Sequence, residues 1–99
     1  MVRNDVQTLI HQLEIVAGEV QRRYRAEILG IFGSYVRGEE RENSDLDVLV
    51  RFAPGATLFD LVGLADFLEE MLGIRVDVVP VDALREEIRD RILQEAVYL

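Results

Sequence analysis

The sequence contains no cysteine, no lysine and no tryptophan, and only two prolines. Without cysteine there are no disulfides, thiolate metal ligands or thiol nucleophiles, and a reducing compartment suits the chain. Without lysine there is no Schiff-base chemistry, and all 11 basic residues are arginines. No apolar run approaches the ~18 residues of a membrane-spanning helix, and the opening Met-Val-Arg-Asn-Asp-Val has no apolar signal core. The expected location is therefore the cytoplasm, with no membrane partner. Positive charge is also scarce. Against 19 acids the 11 arginines leave a net charge of −8, which opposes direct binding to a nucleic-acid backbone.

What the chain does have is 49% hydrophobic and 30% charged residues in 99 positions, the composition of one globular domain spanning residues 1–99. From Asn4 to Tyr24 the apolar positions Val6, Leu9, Ile10, Leu13, Val16, Ala17 and Val20 recur with helical period, with Asn4 and Gln7 placed as an N-cap pair and Gly18 as a weak point. Glu27–Phe32 is short, apolar and stopped by Gly33, and so reads as a strand. Asp45–Phe52 alternates, with Leu46, Val48, Val50 and Phe52 on one face and Asp45, Asp47, Leu49 and Arg51 on the other. Thr57 with Asp60 caps a helix running to about Leu72, whose apolar residues cover more than one face and imply an interface. A third strand follows at Arg75–Pro80, and a last helix begins at Asp82. The twelve residues between the first two strands are scant for a parallel crossover, so the order predicts an α/β fold, a small mixed sheet flanked by helices.

Three features carry chemistry. Gly33-Ser34 stands where a strand ends and a short helix begins, a turn that either simply caps the helix or lets backbone N–H groups and a hydroxyl approach a phosphate. Asp45 and Asp47, at i and i+2, project from one face of a strand and can reach one hard cation. Left alone, two such charges about 6 Å apart repel by about 3 kcal/mol at an effective dielectric of 20. The plainer alternative has Asp45 capping a turn and Asp47 in solvent or paired with Arg51. Asp77, between Val76 and Val78, calls for a partner: Arg75, Arg51 or a metal shared with the other two acids. Taken together, a phosphate-cradling turn and three strand carboxylates suit metal-assisted phosphoryl or nucleotidyl transfer.

Gly33-Ser34, Arg37-Gly38, Asp45-Leu46-Asp47 ten residues on and Asp77 on a later strand resemble the polymerase-beta-type nucleotidyltransferase superfamily, and within it the minimal nucleotidyltransferase (MNT) branch. The likeness runs from about Glu27 through the ending Ile92-Leu93-Gln94-Glu95-Ala96-Val97-Tyr98-Leu99. It implies the polymerase-beta-like nucleotidyltransferase fold and transfer of a nucleoside monophosphate from an NTP with release of pyrophosphate. Asp45 and Asp47 would hold two Mg²⁺ ions, Asp77 would complete the metal site and assist the attacking hydroxyl, and Gly33 and Ser34 would bind the β- and γ-phosphates. MNT chains of this size resemble antitoxins of HEPN-domain ribonuclease toxins, some of which use ATP to place AMP on a toxin tyrosine. The missing second domain implies a site closed by a protein partner or by a second copy of the chain, through the apolar helix at Thr57–Leu72.

Other readings stand beside this one. A non-catalytic antitoxin would mask its partner by contact alone, and a small-molecule nucleotidyltransferase would need an acceptor domain that the chain lacks. Arg37 is a candidate phosphate ligand, although Glu39, Glu40 and Glu42 offer it surface ion pairs. Ser44 reads as a turn cap, His11 as a surface residue, and Tyr35 as packing or a platform for a base.

Overall fold

A computed structural model describes residues 5–99. Helix α1 (Val6–Tyr24) leads into β1 (Ala26–Phe32), the one-turn helix α2 (Ser34–Arg37), β2 (Leu46–Phe52), α3 (Leu58–Leu72) and β3 (Val76–Pro80). A 3₁₀ turn (Val81–Ala83), α4 (Glu86–Glu95) and a two-residue strand β4 (Val97–Tyr98) complete the chain. The expected cap at Asn4 lies outside the described residues; Asp5 caps α1, its side chain accepting from the Thr8 amide at 2.8 Å. Gly18 does not interrupt the helix. The Thr57–Asp60 pair forms the reciprocal capping box expected of it, and Gly73 closes α3 in the left-handed region at φ 71°.

The last helix starts later than its sequence suggests. Pro80 stops β3, Asp82 sits in the 3₁₀ turn, and Leu84 and Arg85 are extended, so α4 begins at Glu86 with Glu86 and Glu87 in its first turn, where the helix dipole favours them. The break lets Leu84 pack with Val81 and Ile88 under the sheet. Strand β4 carries no sequence signal at two residues long. It pairs antiparallel with Gly30 and Ile31, and a Cβ on Gly30 would overlap the Val97 carbonyl, so glycine is what allows β4 to lie this close.

The sheet is mixed, as expected, with the order β3-β2-β1-β4, β2 parallel to β3 and both other pairings antiparallel. Its two faces differ. Leu46, Val48 and Val50 of β2, Val76 and Val78 of β3, and Ile28 and Ile31 of β1 meet Leu9, Leu13 and Val20 of α1 and Leu64, Leu68 and Leu72 of α3 in the main core. On the other face, Leu49 and Phe32 pack with Val81 and Ile92 in a smaller cluster under α4. A bulge at Leu29, between Ile28 and Gly30 in the β1–β2 register, adds that side chain to the smaller cluster. Period-two alternation therefore puts Asp47 and Asp77 on the α4 face, beyond the edge of its apolar cover.

Candidate active site

The site is built around the end of β1. Gly33 is buried and has φ 83° and ψ −151°, backbone that side-chain-bearing residues rarely adopt. A Cβ there would also overlap Asp47 Oδ2, so glycine is required twice, by conformation and by the approach of the carboxylate. The Gly33 carbonyl accepts from the Val36 and Arg37 amides at 3.1 and 3.2 Å, which winds the single turn of α2. Ser34 opens that turn and is partly exposed. Gly38, at φ 71°, ends it.

The acids come from neighbouring strands. Asp47 is opposite Phe32 of β1 on one side and Asp77 of β3 on the other, and residues in register share a face. Asp45 precedes Asp47 by two residues. Asp47 is half-buried, and burial first, then the charges of Asp77 and Asp45, push its carboxyl up to about 6; Arg37 pulls the other way and Glu95 adds to the rise. Asp77 is exposed on the edge strand, so it does not need the neutralising partner that its valine neighbours suggested.

The arginines distribute themselves differently from the sequence expectation. Arg51 pairs with Glu27 at 3.2 Å, not with either site acid. Arg75 reaches Asp45, its Nε 3.1 Å from Oδ1, but the N–H is not aimed at that oxygen, which is buried and without a hydrogen-bond donor among the described residues. Asp45 is thus drawn toward Arg75, and among the described residues no three acids are gathered closely enough to cage a cation as they stand. The donor set nevertheless suits a hard divalent ion: three carboxylates on or beside adjacent strands, one with an orphaned oxygen and one whose ionisation is disfavoured by burial and by its acidic neighbours.

One residue of this site escaped the sequence reading. Glu95, the last residue of α4, accepts from the Gly33 amide at 3.2 Å and from Arg37 Nη1 at 2.8 Å. Arg37 also bonds Glu39 at 2.9 Å, so its guanidinium is engaged in two ion pairs. Arg37 and the Gly33 amide hold the Glu95 carboxyl below its ordinary value. The available signal was a carboxylate at the C-terminal end of a helix, the end the dipole disfavours. Ser44 is a turn cap, its Oγ accepting from the Arg41 amide at 2.8 Å, and His11 is exposed. Tyr35 packs partly buried against the main core.

Cavities of about 520 Å³ (between α1, β1 and β4) and 440 Å³ (beside Arg25, Arg51 and Pro54) do not reach the site acids. The surplus apolar surface of α3 is present, in Leu58, Phe59 and Val62, with Phe59 88% exposed. Its position bears on how a partner or second copy seated on this helix would close the site. The patch is across the sheet from Asp47 and follows the far end of β2, five residues or roughly 17 Å along the strand at ~3.3 Å per residue. No described helix is long and apolar enough to cross a membrane.

A glycine-led turn beside paired carboxylates, on a small mixed sheet with helices on both faces, has the chemistry that phosphoryl transfer requires. The nucleotidyltransferase domain family matches residues 13–99, and the chain belongs to it. It is 42% identical over 81 residues, 82% of each chain, to the protein adenylyltransferase MntA of Thermococcus cleftensis. A solved structure described as a minimal nucleotidyltransferase superposes with a TM-score of 0.80 at 41% identity, covering 100% of both chains. The fold is also shared with the complex of a tri-AMPylated HEPN toxin and MNT antitoxin of Shewanella oneidensis, at a TM-score of 0.61 and 19% identity over 93% of this chain and 69% of that one.

Proposed function

We propose that this chain is an Mg²⁺-dependent protein adenylyltransferase that moves AMP from ATP to a hydroxyl of a HEPN-domain ribonuclease toxin, and so acts in the cytoplasm as its antitoxin. The observation that carries this reading is Asp47, set against Gly33 and in register with Asp77, where burial first and then the neighbouring carboxylates push its carboxyl up to about 6. The relationship to MntA gives the reaction its direction.

In this reading Gly33, Ser34 and Arg37 receive the β- and γ-phosphates, and Asp45, Asp47 and Asp77 hold two Mg²⁺ ions. Bound there, Mg²⁺ supplies positive charge against the triphosphate and the leaving pyrophosphate. Asp77 is the most exposed of the three acids and stands on the edge strand, where an incoming hydroxyl meets no covering helix. The acceptor oxygen bonds to the α-phosphorus, the bond to the β-phosphate oxygen breaks, and the hydroxyl proton passes to Asp77. A partner held on the α3 patch must reach round the β3 edge to present that hydroxyl.

The non-catalytic alternative, neutralisation by contact alone, draws on the Asp45–Arg75 contact, which leaves the acids short of a finished metal cage. Separation after reaction distinguishes the two. A ribonuclease partner that has been incubated with the chain, Mg²⁺ and ATP stays inactive after it is purified away if AMP was transferred. Activity that returns in full on separation leaves only binding.

A further inference from the structure

The Gly33-Ser34 turn already holds an anion. Glu95 sits on the Gly33 amide and on the Arg37 guanidinium, two groups that the proposed function directs at phosphate. The contact spans 62 residues of sequence to Gly33 and 58 to Arg37, so it is made by the fold and not by local chain geometry. Within α4 only Arg91, one turn earlier, favours a carboxylate at this position, and it ranks behind Arg37 and the Gly33 amide. Glu95 is the helix's last residue, where the dipole disfavours negative charge by about 0.3–1 kcal/mol.

Its position is fixed from both sides. Before it, Ile92 is buried under the sheet and its carbonyl accepts from the Ala96 amide at 2.9 Å; after it, Val97 and Tyr98 pair with β1. Glu95 is therefore delivered to the turn by a clamped segment. The contact remains accessible, with the Glu95 side chain 21% and Arg37 46% exposed, so an arriving anion can replace it without unfolding the helix. Glu95 also adds its negative field to Asp47.

We propose that Glu95 is an internal stand-in for the triphosphate: a latch that occupies the Gly33 amide and Arg37 in the nucleotide-free chain and is displaced when nucleotide binds. This rests on the reading of the Gly33-Ser34 turn as the triphosphate seat. The latch has two consequences. It keeps Arg37 aimed at the seat while the seat is empty of nucleotide, and it sets nucleotide affinity by competition.

Glu95→Gln retains the shape and an acceptor for the Gly33 amide but removes the charge that competes for Arg37. Binding of the non-hydrolysable analogue AMP-PNP with Mg²⁺, measured by calorimetry, is expected to tighten roughly three- to fivefold, the scale of a partly exposed ion pair. In ¹³C-carboxyl-labelled wild type, the Glu95 resonance should titrate below the ordinary glutamate range without nucleotide and within it when AMP-PNP is saturating. This second readout needs no variant and decides the matter if Glu95→Gln fails to fold. A residue that only braces the turn predicts equal or weaker binding in the variant and an unmoved Glu95 signal, and either result with intact wild-type binding overturns the latch alone. Wild type that does not bind AMP-PNP overturns the triphosphate seat, and the latch with it.

Discussion

Replacing Asp47 with asparagine should stabilise the metal-free protein above pH 6, although Asp47 is half-buried. In the folded chain its carboxyl is pushed from 3.8 to about 6 by burial and by Asp77 and Asp45. At 1.36 kcal/mol per pH unit that corresponds to about 3 kcal/mol, which partial exposure and screening reduce to roughly 1–2 kcal/mol. Because the folded value is raised, the stability that protonated Asp47 contributes is complete below pH 3.8 and is lost as pH rises through about 6. Asparagine never ionises, so the variant escapes that loss. For a chain of this size the gain at about pH 7.5 should appear as roughly 5–10 °C in Tm, shrinking toward zero near pH 4. Thermal melts of both proteins at the two pH values measure it. Adding Mg²⁺ should raise the wild type and close the gap, since a bound cation removes the repulsion that the asparagine had removed. A variant no more stable than wild type at pH 7.5, or a gap of the same size at pH 4, would refute the electrostatic account of the cluster.

Further predictions follow from the same geometry. Gly33→Ala forces a side chain into left-handed backbone and onto the Asp47 carboxylate, so it should cost about 1–3 kcal/mol in denaturant unfolding and abolish AMP-PNP binding. Leu49→Ala, at the centre of the small cluster under α4, should cost about 2–5 kcal/mol, and urea titration will show it. Phe59→Asp should change stability by less than ~0.5 kcal/mol and leave AMP-PNP affinity intact, because the ring is 88% exposed and remote from the acids. Capture of the partner by immobilised protein should nevertheless fall sharply.

Much of this was legible in the sequence because the signals were local and redundant. Period-two alternation in β2 put Asp47 opposite the core-facing Val48, and register then carried it to Asp77. The Thr57–Asp60 box and Gly73 bounded α3 within a residue. What was missed depended on distant contacts. Strand β4 is two residues long and exists because Gly30 leaves room for Val97, a fact that no window of sequence contains. The start of α4 moved from Asp82 to Glu86 because Leu84 is needed under the sheet. Arginine pairing was also unreadable. Arg75 went to Asp45 rather than Asp77, and Arg37 to Glu95 as well as its neighbour Glu39, since surface ion pairs are chosen by proximity across the fold. The apolar surplus of α3 was real, but its separation from the acids needed the topology: the helix packs on one face of the sheet and the acids stand on the other.

The central claim is nucleotidyl transfer to a protein hydroxyl, and the position of the radiolabel tests it most directly. The chain is incubated with its ribonuclease partner, Mg²⁺ and ATP labelled on the α-phosphate or, in parallel, on the γ-phosphate, with Asp47→Asn as control. The partner should take up label from the α-position only, pyrophosphate should appear in equal amount, and the variant should transfer orders of magnitude less. Label from the γ-position, or no label on the partner with wild type and variant alike, would contradict it.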